Sequence, residues 1–296
     1  MKECYLKSRI IYILFLCVMA CGEEGPDIST IPEPIIVEFS SSLNFIGGSL
    51  VDDKVDDTKL DFWVGTFEEL TADEPGTVTF TTSNIGFNAP EVDCEALQTG
   101  VSCPFATSVN IARGIGLFAR VEDPRGSEGK WLTTLSPLVL EETLNQLRDN
   151  PVPFTADFGG GTVLPRTFLD LAASNLDRPA DELEKVGALV QFIVKADEDG
   201  GIAPLEGVVA SLESRRDYQI IYANGFGLPD PSLTETSATG IVWFFPLASE
   251  PDYHVLLPTY TSADGRVAVG QGFINHSAMS VIPYVFPEES PAEVGE

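Results

Sequence analysis

The sequence predicts a mainly β protein, two antiparallel β-sandwich domains joined by a short helical connector. Short segments of alternating or β-branched residues recur in both halves of the chain. Acidic, glycine- or proline-bearing connectors separate them, as at Asp197-Glu198-Asp199-Gly200-Gly201. Many short strands at such spacing argue for sandwiches. Helical spacing shows in only two stretches, both near the middle. A length of 296 residues is enough for two domains. A hydrophobic share of 44% is too apolar for a disordered chain, and the repeated long apolar spans of a multi-pass membrane protein are missing.

In chain order, strands are expected at 35–40, 60–67, 77–82, 109–112 and 116–121, which place a first sandwich at 35–135. Ser136-Pro137 reads as an N-cap and first-turn pair, followed by Leu140, Leu144 and Leu147 on one helical face. Asn150-Pro151 stops that helix. Leu164, Phe168 and Leu171 suggest a second one, ending near Ser174-Asn175, and together these define a connector at 136–185. The segment 186–195 then alternates, with Val186, Ala188, Val190, Phe192 and Val194 on one core-facing side. Strands at 207–212, 218–222, 240–245, 253–257, 266–271 and 280–286 complete a second sandwich over 186–286. Residues 287–296 hold four glutamates and read as a solvated acidic tail.

The front of the chain carries an address. Lys2, Lys7 and Arg9 precede an apolar run at 10–20, too short for the ~20 residues a membrane-spanning helix needs. A basic start and a short apolar core describe an export signal over 1–20. Val18-Met19-Ala20-Cys21 resembles the bacterial lipobox, with Met19 in place of the commoner Ala, Ser or Thr. That resemblance implies that Cys21 becomes the mature N-terminus and carries lipid. The alternative is an ordinary signal peptide cut nearby. Gly22 is not the aspartate that would hold a lipoprotein at the inner membrane, so outer-membrane sorting in a Gram-negative bacterium is expected. Two or three acyl chains anchor firmly where one binds reversibly. The polar, proline-bearing stretch 21–34 then reads as a tether.

Charge and cysteine count agree with that address. The formal charge is −28 and the pI near 4.2, which repels phosphate backbones, so no nucleic-acid partner is expected. An acidic surface is also repelled by anionic headgroups, so the lipid and not the protein face would hold the membrane. Of five cysteines, Cys4 and Cys17 leave with the signal and Cys21 takes lipid. Cys94 and Cys103 remain, a pair for an oxidising compartment, and a local bridge would stabilise by ~2–3 kcal/mol. A metal site would need about four ligands, and no second Cys or His cluster accompanies the pair.

The second half resembles the carboxypeptidase regulatory-like domain, a transthyretin-like sandwich. The residues concerned are Ala188-Leu189-Val190-Gln191-Phe192, the entry Pro204-Leu205-Glu206-Gly207-Val208-Val209, the run Thr236-Ser237-Ala238-Thr239-Gly240-Ile241-Val242-Trp243-Phe244, and Tyr253-His254-Val255. The first half looks like a divergent version, with Thr81–Phe87 as its hairpin. The resemblance implies two transthyretin-like or immunoglobulin-like modules of an exported lipoprotein, similar to those of myxobacteria-like organisms. It implies non-catalytic, structural or binding work. The acidic turn departs from the short glycine turn of such domains.

Several motifs bear on chemistry. From Lys195, an EF-hand frame puts Asp197, Asp199 and Glu206 at ligand positions, but a cation stands at position 1 and Pro204 lies inside. These three are the metal candidates, against a solvated hairpin turn. Asp52, Asp53, Asp56, Asp57 and Asp61 form the densest acidic patch, partly offset by Lys54 and Lys59, and read as a solvated loop. Gly114, Gly116 and Ala119 spell a dinucleotide fingerprint without the helix that such a site needs. His254 falls inside an expected strand. Trp63, Trp131 and Trp243 could stack on sugars but sit in apolar stretches, where core positions are expected. The expectation is a lipid-anchored envelope protein, not an enzyme, without cofactor, that binds protein or glycan partners or serves structure. An envelope hydrolase using carboxylates and a calcium-dependent adhesin are the alternatives.

Overall fold

Period-two burial builds the first half. The computed structural model describes residues 33–46, 59–65, 83–86, 95–97, 100–114, 116–155, 160–196, 201–213, 217–247, 254–275 and 277–287. Strand β1 (Ile36–Ile46) turns Val37, Phe39, Leu43 and Phe45 inward, and β2 (Lys59–Gly65) turns in Leu60, Phe62 and Val64. Strands β3 (Ser83–Gly86), β4 (Glu95–Leu97) and β5 (Gly100–Asn110) follow, then β6 (Leu117–Glu122), with Leu117, Ala119 and Val121 buried. β5 pairs antiparallel with the whole of β1, from Ile36 opposite Asn110 to Ile46 opposite Gly100.

The next strand, β7 (Thr134–Val139), occupies the place where a helix start is expected. Ser136 does not cap: it pairs with Ala119 on β6, and every residue of β7 is buried. Burial from both sides overrides the local preference of Ser-Pro for a helix N-terminus. Helix α1 (Glu141–Asp149) begins only after the extended Leu140, and buries Leu144 and Leu147. β8 (Phe154–Thr155) and β9 (Gly161–Val163) add in parallel to β1. The first core lies between that five-stranded sheet and β2, β6 and β7, where the Phe45 and Trp131 rings meet edge to face at 5.0 Å.

Helix α2 (Arg166–Leu176) matches the expected second helix, and α3 (Ala180–Val186) follows it. Gly187 stops α3 at φ +72°, where an added Cβ would sit 2.2 Å from the carbonyl oxygen of Asn275. Only glycine fits so close an approach, and the chain passes directly from helix into the central strand β10 (Ala188–Ala196). Beyond it run β11 (Ile202–Pro204), β12 (Val209–Ser211), β13 (Tyr218–Ala223), β14 (Pro229–Asp230) and β15 (Ile241–Pro246). The last are β16 (His254–Leu256), β17 (Thr259–Thr261), β18 (Val267–Val269), β19 (Gly272–Ile274) and β20 (Met279–Val285).

β10 alternates as expected from Ala188 onwards, whereas Val186, expected to open the strand, closes α3 instead, and the strand is covered on both faces. Ala188 and Val190 pack with Trp243 and Phe245 against α2 and α3, whereas Leu189 and Ile193 pack with Phe244 and Tyr260 towards β12, β17 and β18. Gln191, the polar residue of that second face, is therefore fully buried. It donates from Nε2 to the Gln271 carbonyl at 3.2 Å and accepts from the Tyr260 hydroxyl, so its polar atoms are satisfied. Burial raises the Tyr260 phenol well above its ordinary value and keeps it a neutral donor.

The protein is mainly β, its sheets antiparallel and mixed and packed as sandwiches, with helices a minor part. One ten-stranded sheet runs β14-β13-β15-β10-β20-β7-β6-β2-β3, with β11 alongside β10. Residues 136–185 are thus not a gap between sheets: β7 stands inside this one, and Pro34–Glu296 is a single compact unit. The join is β20, parallel to β10 along its length and parallel to β7 at Met279 opposite Thr134 and Ser280 opposite Leu135.

A polar latch ties the β6–β7 connection to the helices. The buried Asp123 carboxylate accepts from Arg125 Nε and Nη2 at 2.8 and 2.7 Å and from the backbone N–H groups of Arg125 and Lys130. Arg166 reaches the Gly126 and Gly129 carbonyls and forms a two-pronged pair with Glu184 on α3. Burial pushes the Asp123 carboxyl up, but the hydrogen bonds from Arg125 and Lys130 outweigh it and hold it below its ordinary value. A carboxylate lowered on folding adds stability above pH ~4, which is lost as pH falls through the lowered value. D123N is expected to cost about 2 kcal/mol at pH 7, since the amide nitrogen replaces one accepting oxygen and leaves a backbone donor and an Arg125 N–H without an acceptor. Urea titrations from pH 7 to pH 2 should give a shallower acid loss for D123N than for the native chain.

Candidate functional site

A second consequence of β20's position is an open groove. In a parallel ladder every second residue of one strand bonds two residues, flanking its opposite number, on the other. Met279 donates to the Thr133 carbonyl at 2.8 Å, so the next bonds towards β7 would be made by Val281 and Pro283. The register ends with the Val281 N–H on the Leu135 carbonyl, after which one bond would run from the N–H of residue 137 to the Val281 carbonyl and the next from the N–H of residue 283 to the residue 137 carbonyl. Both positions are proline, and neither donor exists. The ladder ends there.

The neighbouring register carries β7 away. Phe118 faces Pro137 but Leu117 faces Val139, so Leu138 is an extra residue, and such a bulge bends its strand. Between the diverging strands lies a groove of about 580 Å³, within the range of ligand sites. Val139 and Leu140 line one side, Ile282, Tyr284 and Val285 the other, and Val269 and Phe273 close the third. Phe118 and Phe273 meet edge to face at 5.8 Å and link β6 to β19. Gln191 holds the Gln271 carbonyl on the third side, so the buried polar network fixes a wall of the groove.

Leu140, Val285 and Val269 are exposed at this mouth, at 52%, 46% and 63%. Val255 and Leu257 are exposed nearby in sequence on and after β16, the partner of β19. Among the described residues, Glu141 is the one charged residue lining the groove.

Apart from Gly116, the described residues singled out as candidates for chemistry do not line this groove. Cys21, Cys94, Asp197 and Asp199 fall outside the described residues. Glu206 is exposed in the turn after β11, and Cys103 is buried on β5 opposite Leu43. Among the described residues no group of three His, Cys, Asp or Glu could hold a metal ion. Gly116 does not form a dinucleotide loop: at φ +72° it packs under Val139 and lines the groove. Trp131 and Trp243 are core residues, and Trp63 lies beneath the Arg120 guanidinium at 5.9 Å. Among the described residues no helix is long and apolar enough to cross a membrane.

No protein-family model matches the chain, and no curated protein matches it. A solved structure of the Bacillus anthracis TIE protein aligns at 10% identity over 85% of this chain, with a TM-score of 0.18. The chain spans about a third of that structure's length (33%), and a likeness at this TM-score carries no argument.

The groove can be tested without a known ligand. L140R and V285R alter exposed side chains, so each should keep stability within about 0.5 kcal/mol. Each should nonetheless abolish binding of an environment-sensitive apolar dye, read by fluorescence titration, while I202R, at a residue outside the groove, leaves it intact.

Proposed function

We propose that this is a lipid-anchored envelope protein that binds a partner protein through the groove between β7 and β20, and that catalyses no reaction. The observation carrying this reading is the proline-ended ladder. It leaves an apolar concavity where a continuous sheet would otherwise close, and exposed patches of that kind mark interaction sites. The export signal, the lipid on Cys21 and placement at the outer membrane of a Gram-negative bacterium rest on the lipobox-like residues. A transthyretin-like character of the second half rests on the motifs between Ala188 and Val255. A bridge between Cys94 and Cys103 is part of the proposal, supported by the β4–β5 hairpin, where Glu95 faces Ser102.

The test is photo-crosslinking in intact cells, with a benzophenone amino acid at Leu140 or at Ile202. The proposal expects one defined adduct from Leu140, none from Ile202, and loss of the adduct from the membrane fraction when Cys21 is replaced by Ser. Equal crosslinking from both positions, or turnover of an envelope substrate by the purified chain, would contradict it.

A further inference from the structure

We infer that the groove recognises an apolar partner segment through a lysine or arginine side chain, and not by adding a strand. This rests on the groove being a binding site, as proposed above. Three observations specify the occupant.

The first is the balance of donors and acceptors. Met279 N–H points to β7 and Phe286 N–H to Val194 on β10, so backbone groups of Val281, Pro283 and Val285 face the groove. Along these two strands the parallel pattern turns the carbonyl oxygens of Val281, Pro283 and Pro137 towards the groove, against one N–H, that of Val285. An edge so poor in donors is a poor template for another strand, which must find both donors and acceptors. It suits a group that only donates, and ammonium and guanidinium are such groups.

The second is charge. Glu141 lines the groove, Glu142 follows it, and the chain carries −28. Glu141 and Glu142 open α1, whose N-terminus carries about half a positive charge, so the two carboxylates leave that end net negative. The third is the walls. Phe118, Phe273 and Tyr284 offer aromatic faces, and Val139, Leu140 and Ile282 aliphatic ones, which take the stem of a long cationic side chain and its apolar neighbours. A small molecule carrying the same cation is a different source of the same chemistry. The exposed apolar residues Val255 and Leu257, on and after the strand that pairs with the groove-lining β19, favour a polypeptide, which reaches further.

The experiment uses the full chain with Cys21→Ser, so that no detergent competes for the groove. The probes are three capped peptides, Phe-Lys-Leu, Phe-norleucine-Leu and Phe-Glu-Leu, with a backbone N-methylated form of the first and with 4-phenylbutylamine. Affinity is measured by calorimetry. The lysine peptide should bind at least tenfold tighter than the norleucine and glutamate peptides. E141Q should remove most of that difference, and E206Q, at an exposed carboxylate that does not line the groove, should not. N-methylation should change affinity less than threefold, and the amine should bind more weakly than the lysine peptide.

Equal binding of lysine and norleucine peptides would overturn the cation and leave the groove a general apolar site. Loss of binding on N-methylation would overturn side-chain recognition in favour of strand addition. An amine that binds as well as the peptide would overturn the polypeptide occupant. No binding of any probe would overturn this inference, while the Leu140 crosslink would still decide whether the groove meets a partner.

Discussion

Parallel pairing along β20 is the constraint on which the rest depends. This strand is bonded to β10 over seven residues and to β7 over two, and so makes one sheet of two halves. It also closes cores on both faces, with Met279 and Val281 among the helices and Ile282, Tyr284 and Phe286 towards β17. Each fully buried side chain of this kind adds ~1.5–3 kcal/mol. Loss of the strand would open both cores together. Gly187 and the Asp123 latch serve the same junction, one by letting α3 turn at once into β10, the other by fastening the β6–β7 connection to α3 through Arg166.

The groove is where that constraint lapses. A parallel ladder needs an N–H at every second residue, and two prolines remove consecutive donors from the pair β7–β20. The result is geometric: the strands separate, a bulge at Leu138 turns β7, and apolar side chains that a closed sheet would bury line an opening. Prolines on a sheet edge also discourage unwanted pairing. An opening that resists strands yet offers carbonyls, a carboxylate and aromatic walls can be both safe and selective.

Much of the fold was legible in the sequence. Alternating or β-branched character located β1, β6, β10 and β15, and the spacing of Leu164, Phe168 and Leu171 located α2. Ser136-Pro137 misled because the pair suits a helix start by local chemistry, whereas burial between β6 and β20 decides its state. Gln191 shows the same effect of tertiary packing: it alternates with the residues of the expected core face, and a second core lies on its own side. The groove could not be read, since β7 and β20 lie far apart in sequence and nothing local says that they meet. One signal was present. Pro283 inside an otherwise apolar strand marks a place where pairing on one side stops, and Pro137 inside another is its counterpart.

The most direct test of this account is to restore the donors. In the double variant P137V and P283V, amide hydrogen exchange read by NMR would report both new N–H groups. If missing donors open the groove, the ladder should extend, and the amides of residues 137 and 283 should exchange at least a hundredfold more slowly than in an unstructured chain. Exchange of both at unprotected rates, with the native groove still open to the dye, would contradict it.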